Sequence, residues 1–414
     1  MTVPLDRLYN FLHDVSDHDV VIYRWTPHGS RKKEDCLALH PIPTSRFEQL
    51  TSMHMICHDQ EPLRFDDFGE SPPGHFNFPG IPFSQLKPLI RVSWMLHDRI
   101  MLCHSELNSE ELKKFENNGV IGVYYWSHAL ISRDWFRYAE LDPNLKKTKC
   151  LKNTFLIYNR AWTGSREYRL KFTELIMDHD LKTICAMRFN PVDNNTHYCD
   201  HIWANPRLQT TFKNNFKLEQ YFELNDSLST FSADYESNDY QTTGIEVVLE
   251  TLFDDSRWHL TEKTLRPIAC AQPFILAATP GSLEYLRSNG FQTFDSIWDE
   301  SYDKITDPVA RLEAIVELMK DIDRRLQCED VLSKVQDICI HNQRWFFSAE
   351  FHNRVVGEYQ SNLNQAIGTM KQHANGTFWK AHMRDRANLG DLRETREDVL
   401  KIWQWLQQQK IKLV

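Results

Sequence analysis

The sequence predicts an α/β fold in two blocks, and three observations carry that expectation. Short apolar runs of strand character alternate with stretches of helical pattern, which is how a parallel sheet with helical crossovers reads. The alternation starts near residue 19 and opens afresh near residue 150, so two sheets are expected. With 414 residues, 41% of them hydrophobic and 12% aromatic, the chain is long and apolar enough to bury a core in each.

In the first block, residues 19–25, 53–57, 99–103 and 119–126 read as strands. Between the last two, Asn108 stands where an N-cap would, with Glu111 three residues on, so a helix is expected across 109–115. Residues 60–88 interrupt the rhythm with six prolines, three glycines and five phenylalanines, the composition of a binding loop or of a packed surface excursion. The second block opens with a strand at 154–159, a loop at 160–166, a helix from about 167 to 177 and a strand at 182–187. This is how a mononucleotide-binding half begins, with its ligand at the carboxyl ends of the strands. Residues 190–243 are polar and turn-rich, 245–250 and 272–277 resume strand character, and from Asp307-Pro308 onward the pattern is helical.

Charge narrows the function classes. The 48 basic and 57 acidic residues give −9, which excludes a wholly basic nucleic-acid binder but leaves room for a local basic surface. Between Lys146 and Lys171 there are eight positive residues against Glu167 alone. Within that run Arg160 and Arg166, flanking Gly164 and Ser165 after a strand, suit a phosphate, while Lys146, Lys147 and Lys149 read as a solvated linker or as contacts to a polyanion. No apolar run approaches the roughly 18–20 residues that span a bilayer, and the first residues lack the basic and apolar regions of a signal peptide. A chain without membrane partners, resident in a cytoplasm, is expected. The nine scattered cysteines contain no CxxC pair, which argues for reduced thiols rather than disulfides or a zinc ribbon.

The segment from Glu250 to Ile268 is the most informative. An acidic residue closes a strand, a loop follows, and Thr261-Glu262-Lys263-Thr264 opens a helix. Thr261 is placed to cap that helix and Lys263 to sit at its dipole-positive start, which favours a diphosphate, while Glu262 can accept from sugar hydroxyls. An ordinary capped helix is the alternative. His58-Asp59-Gln60-Glu61 follows a strand of the first block and offers proton acceptors. The group Trp126-Ser127-His128 with Arg133-Asp134-Trp135-Phe136-Arg137 reads either as a stacking surface or as a packed amphipathic helix. Metal designs fare worse: His197-Tyr198-Cys199-Asp200-His201 has no partner cluster at zinc spacing, and none of the three DxD strings follows a strand. No metal and no cofactor are therefore expected.

Glu250, Thr261-Glu262-Lys263-Thr264 and Pro273-Phe274-Ile275 together resemble the donor-site segment of fucosyltransferase-type glycosyltransferases of the two-domain GT-B kind. Residues 286–303 and Cys57-His58-Asp59-Gln60-Glu61-Pro62-Leu63 are more similar to bacteriophage proteins of glycosyltransferase type. The first likeness spans about 30 residues, and the chain departs from it in carrying Thr264 after the lysine. The resemblance implies two Rossmann-like domains facing a cleft, with C-terminal helices: residues 1–150 for the acceptor, 151–374 for the nucleotide sugar, and 375–414 crossing back to the first domain. It implies transfer of a sugar from a UDP- or GDP-sugar, a co-substrate rather than a cofactor, to a hydroxyl. Asp59, Glu61 and His58 would supply the base, and Arg160, Arg166, Glu250, Thr261, Glu262, Lys263 and Thr264 would bind the donor. The phage likeness implies double-stranded DNA with hydroxymethylated pyrimidines as acceptor, touched by Lys146, Lys147, Lys149, Arg133, Lys380 and Arg384, in a host cytoplasm. A glycan or small-molecule acceptor, a non-catalytic virion or DNA-associated protein with a nucleotide fold, and a metal-dependent nucleotidyltransferase are the rival readings.

Overall fold

The computed structural model describes residues 6–16, 20–25, 53–58, 61–64, 100–117, 120–211, 223–224 and 231–373. The chain forms two compact units, one running from His128 to Arg354, the other taking in Pro4–Ser127 together with the chain from Val355. The divisions thus fall at 127/128 and 354/355, where the sequence had suggested 150/151 and 374/375.

The unit containing the N-terminal residues holds α1 (Asp6–Val15), β1 (Val20–Trp25), β2 (Met53–His58), β3 (Ile100–His104), α2 (Glu110–Asn117) and β4 (Val120–Tyr124). Its four strands are parallel and lie in chain order. Met55, Cys57, Met101 and Cys103 are buried on one face and Ile56 and Leu102 on the other, as expected of a sheet covered on both faces. The cap of α2 is Ser109 rather than Asn108: its Oγ accepts from Leu112 N at 3.1 Å, and Asn108 instead takes the left-handed turn before it (φ 54°). The chain returns to this unit after Arg354. Tyr359 packs on Tyr125 and shares a 2.7 Å hydrogen bond with Ser16, and Asn362 Nδ2 donates to Tyr124 O at 2.8 Å.

The other unit contains α3 (Ser127–Trp135, whose first residue belongs to the unit just described), β5 (Asn153–Asn159), α4 (Tyr168–Asp178) and β6 (Cys185–Phe189). A short hairpin follows, β7 (Val192–Asp193) with β8 (Thr196–His197), then β9 (Glu223–Leu224), α5 (Ser237–Thr242) and β10 (Thr243–Leu249). The remaining elements are α6 (Glu262–Ala269), β11 (Phe274–Ala277), α7 (Ser282–Ser288), α8 (Pro308–Leu326), α9 (Val331–Phe347) and α10 (Ala349–His373), the last passing into the other unit. Every residue of β10 and β11 is buried, and α4 packs with α8 while α6 packs with α9. Asp307 caps α8 by accepting from Val309 N and Ala310 N, with Pro308 fitting the first turn where no donor is required.

All pairings in this five-stranded sheet are parallel, in the order β11-β10-β5-β6-β9. Numbered in chain order and read from the β9 edge, this is 3-2-1-4-5, the order of a doubly wound sheet. The architecture is α/β with parallel sheets and helices, compatible with a Rossmann-like fold. In such a sheet ligands gather outside the carboxyl ends of the strands where the order reverses, between β5 and β10. Residues 160–167 and 250–261 leave those two ends.

Candidate functional site

Glu250, the residue after β10, is fully buried and saturated. Its Oε1 accepts from Thr261 N (2.9 Å), Thr264 N (3.2 Å) and Thr264 Oγ1 (2.6 Å), and its Oε2 from Thr251 N (3.0 Å) and Thr261 Oγ1 (2.7 Å). Burial alone would raise this carboxyl's pKa; Lys263 and the Thr264 and Thr261 donors outweigh it and hold it below the usual value. Thr261 caps α6 as the sequence predicts, accepting from Lys263 N at 3.4 Å. The first-turn donors of Thr261, Lys263 and Thr264 are thus taken by Glu250 and by the cap itself. A phosphate finds them engaged, so Glu250, Thr261 and Thr264 form the frame of the site.

The cations stand around that frame. Lys263 Nζ reaches Glu262 Oε1 at 2.7 Å and the hydroxyls of Thr251 and Thr261 at 3.3 Å each, with a fifth of its side chain exposed. Arg160, the residue after β5, lies largely buried; its Nη2 makes a long 3.5 Å contact with Ser232 Oγ, and its Nη1 has no acceptor among the described residues. Burial lowers its pKa; Glu262 opposes that, while Arg169, Arg266 and Arg166 push it further down. A guanidinium held among three others, with one buried nitrogen lacking an acceptor, is suited to an anion.

Arg169 and Tyr168 bind the backbone where β5 and β10 end. Arg169 donates to the carbonyls of Ala161 (2.6 Å), Leu249 (2.6 Å) and Glu250 (2.9 Å), and Tyr168 Oη to that of Glu250 (2.6 Å). They satisfy carbonyls where the strands end. The loop after β5 is pinned by Asp193, whose Oδ2 accepts from Trp162 N, Thr163 N and Thr163 Oγ1 at 2.7–2.8 Å. Gly164 sits in this loop at φ 64°, a left-handed position open to glycine, and Ser165 Oγ ties the loop across to Thr251 O at 3.1 Å.

Sequence reasoning singled out Glu262 but not what faces it. Glu262 is 6% exposed and lies 3.4 Å from Nδ1 of His128, the second residue of α3. The His259 ring stands edge-on to His128, centroids 5.2 Å apart. Burial would raise Glu262, but Lys263 and His128 hold its carboxyl down to about 2. Burial depresses His128 to about 4, opposed in part by Glu262. The signal for His128 was present in Trp126-Ser127-His128, where its role depended on a carboxylate more than a hundred residues away.

The other predicted residues are placed as follows. Arg166 lies half-buried in the loop after β5, within electrostatic range of Arg160. Lys149 does not extend as a linker lysine would: its Nζ is drawn inward to the carbonyls of Tyr240 (3.0 Å) and Thr243 (2.9 Å) and to Gln272 Oε1, and burial lowers it to about 8. Arg133 likewise turns inward, onto the Phe346 and Phe347 carbonyls at the end of α9. Lys146 and Lys147 are exposed. His58 is buried at the end of β2 and Glu61 is partly exposed, whereas Asp59, Lys380 and Arg384 lie outside the described residues. Among the described residues no group of three or more His, Cys, Asp or Glu side chains could hold a metal ion. In the stretch considered for zinc, His201 pairs with Glu167 at 2.9 Å and His197 caps a turn by accepting from Cys199 N. No helix among the described residues is long and apolar enough to cross a membrane.

Comparison of the chain with protein-family models, with curated proteins and with solved structures gives no match.

Proposed function

We propose that residues 128–354 bind a nucleotide-diphosphate sugar and that the chain is a glycosyltransferase whose two α/β units make a GT-B arrangement. One observation carries this reading. At the switch point of a 3-2-1-4-5 parallel sheet, Arg160 follows the first strand with a buried nitrogen lacking a protein acceptor, and Lys263 approaches the same crevice across the Glu250 frame. Two cations in that position suit a diphosphate, and would stabilise the charge it gains as it leaves the sugar. The Thr261-Glu262-Lys263 resemblance to donor segments supplies the sugar.

Titration calorimetry with UDP-glucose, GDP-fucose, UDP and GDP tests the donor. Wild type is expected to bind at least one of them, and Arg160→Ala and Lys263→Ala each to weaken that binding at least tenfold. Absence of binding by wild type to every nucleotide overturns the reading; activity abolished by EDTA would favour the nucleotidyltransferase instead. The acceptor we propose is a hydroxymethylated pyrimidine in DNA, with a glycan or small molecule as the alternative. Since Lys149 and Arg133 spend their donors on carbonyls, the DNA version rests on Lys146 and Lys147 among the described residues. Nucleoside mass spectrometry of hydroxymethylated DNA, after incubation with enzyme and donor, is expected to show an added sugar mass; its absence removes DNA as acceptor and leaves glycosyl transfer standing.

A further inference from the structure

We propose that His128 is the group that takes the proton from the attacking hydroxyl, oriented by Glu262, in place of the residues at 58–61 suggested by sequence. The inference rests on the glycosyltransferase reading and adds a catalytic residue to it.

His128 is 1% exposed, and neither ring nitrogen makes a hydrogen bond among the described residues. Burying two polar nitrogens without hydrogen-bond partners is unfavourable. A position that needed only packing would be filled by an apolar side chain at no such cost. The charged and titratable groups facing the ring are Glu262, His259, Lys263 and Glu250. Of these Glu262 is nearest, 3.4 Å from Nδ1, longer than a good hydrogen bond, as catalytic pairs often are before substrate closes on them. A carboxylate at Nδ1 selects the tautomer with its proton there and leaves the Nε2 lone pair to accept. Burial keeps the ring neutral, which a base requires. The same Glu262 also binds Lys263 at 2.7 Å, so one carboxylate links the proton acceptor to the cation proposed for the diphosphate.

The step balances. The hydroxyl proton passes to Nε2, the freed oxygen forms a bond to the anomeric carbon, and the bond from that carbon to the phosphate oxygen breaks. Its electron pair stays on the departing nucleoside diphosphate, and the imidazolium formed is compensated by Glu262.

The test uses the full chain with UDP-glucose and GDP-fucose, and reads nucleotide release with water or hydroxymethylated DNA as the hydroxyl source. In His128→Asn and His128→Gln, donor Kd should stay within about twofold of wild type while kcat falls about 100- to 10,000-fold. The acid limb of the kcat/KM profile should vanish with the imidazole. Glu262→Gln, which keeps the shape and removes the charge, should lower kcat and displace that limb while His128 remains. Thermal melts within a few degrees of wild type show that the variants are folded. Turnover of a folded His128→Asn within about threefold of wild type overturns the proposal and leaves the glycosyltransferase reading intact, as does a loss of binding that accounts for the whole loss of rate. A wild type that binds a donor yet releases no nucleotide overturns it also. A wild type that binds neither donor brings down the underlying reading first, and this inference with it.

Discussion

Glu250 shows how far one side chain can organise the loop between a strand and a helix. Five donors from Thr251, Thr261 and Thr264 converge on its two oxygens, and it joins the end of β10 to the start of α6 across eleven residues of loop. Glu250→Ala removes the acceptor and strands the donors, so a cost of about 3–5 kcal/mol in urea unfolding at pH 7 is expected. The pH dependence has a definite sign. Glu250 is held below its ordinary pKa and Glu262 near 2, so their stabilisation is complete above the unfolded value of about 4.3 and is lost as pH falls through the folded values. The deficit of Glu250→Ala relative to wild type should therefore be largest near neutrality and shrink as pH falls below about 4. A deficit that stays constant across that range would show that the carboxylate contributes by packing rather than by charge.

At the scale of elements, local pattern was the legible part. The apolar runs became β1–β6, β10 and β11, Thr261 became a cap as read, the helical pattern from Asp307-Pro308 became α8, and the strand–loop–helix opening after residue 150 became β5 and α4. Strand order was not legible, because it depends on pairing partners far apart in sequence; it is what distinguishes a switch point from an ordinary sheet edge. Nor was the division of labour within the basic run. Lys146 and Lys147 face water, Lys149 and Arg169 are drawn onto carbonyls, Lys171 pairs with Glu174, and Arg160 and Arg166 stay at the carboxyl end of β5. Residue type cannot separate these roles, since each depends on which backbone oxygens the fold leaves unsatisfied nearby. Gly290 shows a stricter local requirement. It ends α7 at φ 89°, and a Cβ there would lie 2.8 Å from the Trp345 indole, itself fixed by a 2.8 Å hydrogen bond to Asn289 O. Gly290→Ala combines left-handed strain with overlap, and should cost about 2 kcal/mol or more, read as a lower Tm with the unfolding slope unchanged. A neutral substitution would mean that Trp345 can move aside.

For the whole molecule, the division into units carries the last prediction. His128, Arg160, Arg166, Glu250, His259, Thr261, Glu262 and Lys263 all lie in one uninterrupted stretch, 128–354, with its own buried five-stranded sheet and flanking helices. A stretch of that size with its own core meets the requirements of an independently folding domain. The other unit is discontinuous: the ends of β4 and α1 are joined to the returning chain through Tyr359, which packs at a tilt on Tyr125 and bonds Ser16, and through Asn362 on the Tyr124 carbonyl. Expressed alone, residues 128–354 should melt cooperatively and keep, within about threefold, the affinity of the full chain for any nucleotide sugar the full chain proves to bind. Residues 4–127 alone lose the contacts of Tyr359 and Asn362 and should be far less stable than the same residues joined to 355–414 through a flexible linker. Circular dichroism melts of the three fragments decide the matter. If 128–354 fails to fold while the full chain does, the stretch does not meet the requirements of an independent domain, and the proposed donor site is accessible to study only in the intact protein.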